Sequence, residues 1–316
     1  MALHTITVFG GSGFIGRHVV RKLASTGIRV RVATRDPEGS LFLRTMGDVG
    51  QIAPILANIR DQRSVEAVIA HADAVVNLVG ALNERGRQTF AEVHANGATR
   101  VAAAATAAGV SRLIHVSAIG ADRLAMAAYA RSKAAGEAGA RSAFERVTIL
   151  RPSVVFGPED DFFNRFAALA RLSPALPLFG GGKTRFQPVY VGDVAAAVVR
   201  SLDDPASAGR TYELGGPRVY TFRELMELIL AATRRRRQLV PIPFGPGRIL
   251  AALCELIPNP PITRDQLRML ESDNVAAADA LTLTDLGVAP TAAEGVVLTY
   301  LDRYRRPGTA AYRQPV

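Results

Sequence analysis

The chain has one cysteine, no tryptophan, three lysines and no long apolar run. Each scarcity excludes something. The single Cys254 rules out an internal disulfide and any cysteine-rich metal site, so no bound metal is expected. The most apolar stretches, 225–232 and 249–257, fall far short of the ~20 residues that a helix needs to span a bilayer. The N-terminus enters a strand at once, without a basic and apolar leader, so no signal peptide is expected. Aromatic residues make up 6% of the chain. They do not interleave with the basic ones, so no nucleic-acid partner is expected despite a net charge of +10 and a pI near 10.4. Of 38 basic residues only Lys22, Lys133 and Lys183 are lysines. A lysine here is a rare choice.

What is present is a globular composition: 316 residues, 48% of them hydrophobic. That is enough for one large α/β unit or two interlocked domains. The organising stretch is TITVFGGSGFIGRHVV, residues 5–20. It reads as a short strand, a glycine turn and the start of a helix. Gly10 lets the chain turn sharply, Gly13 lets backbone N–H groups approach a pyrophosphate, and Gly16 lets helix and sheet pack closely. Ser12, Phe14 and Ile15 complete the turn, whose N–H groups and helix dipole favour an anion. A plain tight turn is the alternative.

Residues 29–34 alternate as a second strand. An NAD site usually has an acidic residue at its end; here stand Thr34 and Arg35. An arginine accommodates a 2′-phosphate, and Arg17 could reach the same group, so NADPH (or NADP+) is favoured over NADH. Two solvated surface arginines are the alternative. Residues 52–57 make a third strand, with Asn58 and Ile59 after it as candidate adenine contacts. The continuous apolar run 74–79 is a fourth strand, covered on both faces. A helix over 90–108, a fifth strand over 113–117 and a sixth over 147–150 follow. Strands alternating with helices predict an α/β, Rossmann-type, doubly wound parallel sheet, with a smaller, mostly helical C-terminal domain. The predicted boundaries are 1–155 for the dinucleotide-binding domain, its sheet completed by about 185–205. Residues 156–184 and 206–316 form the smaller part. Tyr129 and Lys133 stand at i and i+4 on one helix face. The ammonium group is expected to lower the phenol's pKa from near 10 toward neutrality, which would make a usable acid or base. An ordinary surface pair is the alternative.

These stretches together resemble the extended or atypical branch of the short-chain dehydrogenase/reductase superfamily. The carriers are GGSGFIG (10–16), NLVG (77–80), HVSAIGA (115–121), YARSK (129–133) and RPSVVFGPED (151–160). The resemblance implies cofactor contacts from Leu78, Val79 and Gly80, and from Pro152, Ser153 and Val154 beside the nicotinamide. It also implies a serine or threonine hydroxyl at the end of the fifth strand. That slot falls on Ala118, with Ser117 one residue early and facing the other way. Ordinary dehydrogenase catalysis is thereby weakened and cofactor binding is not, so Tyr129 and Lys133 could be vestigial.

In the second half, a helix over 161–172, a Pro- and Gly-rich loop over 173–183 and a strand over 186–191 returning to the sheet are expected. Asp193 is expected to cap a helix over 194–202. Four arginines, 234–237, precede a proline-broken apolar segment, 239–267, with a helix over 248–257. A basic cluster beside an exposed apolar helix suits a membrane surface or a partner; a buried helix with solvated arginines is the alternative. The runs 151–167, 186–198, 262–270, 283–288 and 300–306 are similar to the NAD(P)H-binding accessory subunits of respiratory complex I. That resemblance covers nearly the whole chain. It implies a tightly held NADPH with a structural or regulatory role, other complex I subunits as partners, and a peripheral place on the cytoplasmic side of a bacterial inner membrane. A free oxidoreductase or epimerase with Tyr129 as acid/base is the competing reading.

Overall fold

The structure, a computed structural model, describes residues 3–257 and 260–305. Pro258, Asn259 and Arg306, which belong to stretches quoted above, lie outside the described residues.

The chain forms two compact units. Of the described residues, one unit comprises those up to Ser153 together with Val191–Gly215 and Val275–Pro290; the other comprises Val154–Tyr190 and those of 216–274 and 291–305.

The first unit is built on β1 (Thr5–Phe9), β2 (Arg29–Thr34), β3 (Ile52–Leu56), β4 (Ala74–Asn77), β5 (Arg112–Val116) and β6 (Thr148–Pro152). Between them run α1 (Phe14–Ala24), α2 (Gln62–Ile69), α3 (Gly97–Ala107) and α4 (Ala128–Ala143). The sheet has seven strands, and every neighbour pairs parallel. The order is Thr211–Leu214, β6, β5, β4, β1, β2, β3. Ile6, Val8, Val30, Val32, Val75, Val76 and Ile114 have no exposed surface. Apolar residues on both strand faces demand helices on both sides, and the helices supply their own apolar stripes, as Val19, Val20 and Leu23 of α1 do. The strand order reverses between β1 and β4, so the loops after them leave side by side: the Leu78 N–H donates to the Phe9 carbonyl at 3.0 Å. An open parallel sheet receives its ligand at this switch point.

Three expectations for the second half change. The strand over 186–191 splits into Arg185–Phe186 and Val189–Tyr190, neither of which joins the large sheet. That sheet is completed by Thr211–Leu214, whose register against β6 runs from Thr211 opposite Ile149 to Leu214 opposite Pro152. Asp193 is not a cap: the helix starts at Val191 and runs to Asp203, which places Asp193 inside its first turn, buried. The stretch 173–183 is not an open loop. Ala175–Phe179 pairs in parallel with Gln238–Ile242, and Gly180–Gly182 follow as a short 3-10 turn at positive φ.

The second unit packs the helices Phe162–Leu172, Phe222–Thr233 and Ala293–Tyr300 around Phe156, Phe163, Phe186 and Phe222. Its apolar helix runs over Phe244–Cys254 and buries only Gly247 and Ala251. Ile249 is 67% exposed and Leu253 59%. Two of the four consecutive arginines are tied to backbone: Arg235 donates to the Tyr304 carbonyl and Arg237 to that of Ala170.

Candidate functional site

The glycine turn has the geometry its spacing predicts. Gly10 takes φ +76°, and a Cβ there would lie 3.2 Å from the Leu78 carbonyl carbon. The Gly13 N–H donates to the Gly10 carbonyl at 3.1 Å and closes the turn. At Gly16 a Cβ would stand 2.1 Å from the same carbonyl oxygen. Gly13 is the N-cap of α1; no side chain caps the helix and its first turn holds no acidic residue. Ser12, Phe14 and Ile15 flank a helix end left to an anion, and the uncapped first-turn N–H groups fit a dinucleotide pyrophosphate.

Arg35 is exposed at the end of β2. The acidic neighbour Asp36 turns back into its own loop, where its carboxylate accepts from the Gly39 N–H at 2.9 Å. Arg17 folds over the glycine turn, its guanidinium 5.1 Å from the Phe42 ring centroid and its Nε 3.3 Å from the Gly13 carbonyl. Asn58 is half-buried, and its Oδ1 takes the Arg60 N–H. Ile59 is a core residue: it is buried in the same hydrophobic cluster as Val101 and Val68, and its carbonyl accepts from Arg100. Pro152 and Ser153 are buried, and the Ser153 N–H bonds the Leu214 carbonyl. Val154 belongs to the second unit.

Tyr129 and Lys133 share one face of α4, and burial works against the expected activation of the phenol. Burial pushes the Tyr129 hydroxyl up to about 12, away from neutrality. Lys133 is buried, its Nζ donates to the Val116 carbonyl at 3.0 Å, and desolvation lowers it to about 8. Loss of water acts on both groups in the direction that disfavours their charged forms. Ala118 offers no hydroxyl. Among the described residues the buried Ser117 Oγ has no hydrogen-bond partner.

Several residues here had no expected role of their own. His94 lies in a π-helical turn, Ala91–Asn96, that runs into α3. Its Nε2 accepts from the Ala81 N–H at 2.9 Å and its Nδ1 meets the Ser132 Oγ at 2.8 Å. His115 pairs through Nδ1 with the Asn77 amide at 3.3 Å. Burial beside Lys133 holds both rings neutral, each lowered to about 3. A histidine in a strand and another in an alanine-rich helix were the available signals. Arg151 grips Glu137 with two bonds, of 2.8 and 2.7 Å, and reaches Glu213 at 3.3 Å.

That triad predicts a stability effect. Arg151→Met leaves Glu137 and Glu213, only 8% and 13% exposed, with uncompensated charge. Because the arginine is itself partly solvated, the expected loss is about 2–3 kcal/mol, below the full range for a buried pair. Urea unfolding measures it. A loss under about 0.5 kcal/mol would refute the assignment, and Arg151→Met combined with Glu137→Gln should recover part of the loss.

Among the described residues no cluster of His, Cys, Asp or Glu could hold a metal ion. No helix of the described residues is long and apolar enough to cross a membrane.

Comparison with known proteins agrees with this geometry. The family model "NAD dependent epimerase/dehydratase family" matches residues 6–215. The Arabidopsis thaliana protein "NADH dehydrogenase [ubiquinone] 1 alpha subcomplex subunit 9, mitochondrial" is 38% identical over 96% of this chain and 78% of its own. The "Ceramide reductase" of Caulobacter vibrioides is 31% identical over 78% of this chain and 75% of its own. Among solved structures, the Thermus thermophilus UDP-glucose 4-epimerase, described as a complex with NAD, superposes with a TM-score of 0.69. It covers 97% of this chain and all of its own at 22% identity, which speaks for the fold alone. The chain therefore belongs to the NAD dependent epimerase/dehydratase family, in the same branch as the alpha subcomplex subunit 9 proteins.

Proposed function

We propose that the chain is an accessory subunit of respiratory complex I that holds a nicotinamide dinucleotide, NADP(H) in preference to NAD(H), as a built-in structural or regulatory part. One observation carries the reading. The likeness to the Arabidopsis subunit extends over 96% of the chain, so it includes the second unit, most of which lies past the end of the family match at residue 215. The sequence likeness to the Caulobacter ceramide reductase extends over less of the chain, 78%. Ala118 and the upshifted Tyr129 support a holding role over turnover.

In this reading the turn from Gly10 to Gly16 and the first N–H groups of α1 bind the pyrophosphate. Arg35 and Arg17 bind the 2′-phosphate, and Asn58 borders the adenine. Leu78, Val79 and Gly80 line the path to the nicotinamide, and Pro152, Ser153 and Val154 border it. Tyr129 and Lys133 bond the nicotinamide ribose. A bound nicotinamide supplies hydride chemistry, but Tyr129 is a poor proton donor and Ala118 cannot polarise a carbonyl. The partners are other complex I subunits, and the place is peripheral to the membrane. Bound cofactor stabilises the native state by linkage.

The second reading is a free reductase. The 31% identity to ceramide reductase favours it, as does the intact Tyr129–Lys133 pair. One experiment separates the two: native gel migration of the tagged chain from gently solubilised membranes, with an in-gel NADH dehydrogenase stain and mass spectrometry of extracted nucleotide. Comigration with the large NADH-oxidising complex, carrying NADPH, is expected. Migration near monomer or dimer mass in the soluble fraction, with a turnover that Tyr129→Phe abolishes, would replace the first reading by the second.

A further inference from the structure

The loop that leaves β4 is held by a residue to which the cofactor reading gives no part. The Ala81 N–H donates to His94 Nε2 at 2.9 Å. Because Nε2 accepts, the ring proton sits on Nδ1, and Nδ1–H donates to the Ser132 Oγ at 2.8 Å. Ser132 in turn donates to the Tyr129 carbonyl at 2.7 Å. The chain of bonds thus runs one way, from the β4 loop through the imidazole into the first turn of α4.

The ring has little freedom to leave this position. It stacks on Phe90 at 5.3 Å and 15°, and meets the Tyr129 ring edge-on at 5.4 Å and 88°. Its backbone is held as closely: a Cβ on Gly136 of α4 would lie 2.3 Å from the His94 carbonyl oxygen. The π turn of Ala91–Asn96 places that carbonyl against α4. At Gly80, one residue before the bonded amide, a Cβ would stand 3.6 Å from Lys133 Nζ and 3.8 Å from His94 Nε2. The β4 loop, His94 and Lys133 are therefore contiguous.

We propose that His94 is a positioning residue that clips the loop Leu78–Ala81 to α4, so that loop and Tyr129–Lys133 pair present one fixed surface to the nicotinamide end of the dinucleotide. The proposal rests on the cofactor reading above. It deepens that reading by naming what holds its two halves in register. The imidazole is suited to the task because it accepts on one side and donates on the other, about one ring width apart. An amide side chain can do either at this site but not both. Glutamine reaches the Nε2 position and can accept from Ala81; asparagine reaches only the Nδ1 position and can serve only Ser132.

The test compares His94→Asn with His94→Gln in the full chain. It reads amide hydrogen exchange at Ala81 in nucleotide-free protein and the affinity for NADPH by fluorescence titration. Loss of one hydrogen bond to an otherwise satisfied amide is worth about a tenfold change. His94→Asn is expected to speed Ala81 exchange and weaken NADPH about tenfold each, and His94→Gln to stay within about threefold of wild type in both. Wild-type behaviour of His94→Asn would overturn the clip, and so would equal losses in the two variants, which would mean ring packing alone. Should neither variant fold, the ring ¹⁵N spectrum of the wild type decides: an Nε2–H tautomer overturns the proposal and an Nδ1–H tautomer upholds it. A wild type that takes up neither NADPH nor NADH defeats the cofactor reading, whereas Ala81 exchange still reports on the clip.

Discussion

The variant Gly16→Val loses about 3 kcal/mol of stability or more and purifies without nucleotide. A Cβ at this position would lie 2.1 Å from the Gly10 carbonyl oxygen, 2.6 Å from the Gly11 Cα and 2.7 Å from its carbonyl carbon. All three are backbone atoms, so no rotamer change relieves the clash. The turn itself must move, yet the Gly13 N–H holds it at Gly10 and the Leu78 N–H holds the end of β1. Overpacking against fixed backbone stands at the upper end of such penalties. Gly13 provides the contrast. Its Cβ would meet only the Gly10 oxygen, at 3.3 Å, on an exposed face. Gly13→Val should therefore fold with a smaller loss and still lack nucleotide, because its side chain occupies the place proposed for the pyrophosphate. Gly295→Ala, in a helix with nothing within 4 Å, should gain about 0.5–1 kcal/mol. Urea midpoints and the nucleotide content of the purified proteins measure all three. A Gly16→Val protein within 1 kcal/mol of wild type would show that helix and strand do not depend on this approach.

The parts of this fold that repeat a local rule were legible in the sequence. The first six strands follow from apolar runs at the spacing of a doubly wound sheet, and the glycine turn follows from the need for bare backbone at three positions. The seventh strand was not legible. Thr211–Leu214 is four residues long, and only its register against β6 shows that it completes the sheet, whereas 186–191 has the stronger strand composition. Composition measures what a segment tolerates; pairing is decided by what lies beside it. The site divides in the same way. The Tyr129–Lys133 spacing was readable, but the direction of the phenol's shift was not, because it depends on how much water the fold removes. His94 carried no motif, and His115 stood in HVSAIGA without an expected role of its own. They matter because of tertiary neighbours from Asn77, Ala81, Ser132 and Lys133, spread over more than fifty residues of chain.

Those two histidines set the second large effect, a steep loss of stability in mild acid. Each is held near pKa 3 in the folded chain, against about 6.5 when unfolded. Between those values the unfolded chain binds a proton that the native chain refuses, so stability rises with pH and falls as pH drops below 6.5. The geometry explains the refusal. A second proton on His94 would point Nε2–H at the Ala81 N–H, and one on His115 would point Nδ1–H at the Asn77 amide. Lys133 adds like charge to both. Each histidine contributes about 1.4 kcal/mol per pH unit in this window, so the pair removes about 5 kcal/mol between pH 6.5 and 4.5. That is comparable to the whole stability of many domains. Asp73 and Asp273, held low by backbone hydrogen bonds, also lose stabilisation as pH falls and add to the loss, while Asp160, raised by burial, opposes it. Lys133 acts elsewhere: lowered to about 8, it makes stability rise between pH 8 and 10.5. Urea unfolding at pH 7, 6 and 5 is expected to give this slope, and His115→Phe to halve it at a cost of about 1–3 kcal/mol at pH 7, since the buried Asn77 amide loses its partner on the ring's Nδ1. A stability unchanged from pH 7 to 5 would mean that both rings take up a proton inside the fold, and that the hydrogen bond from Ala81 to His94 yields in acid.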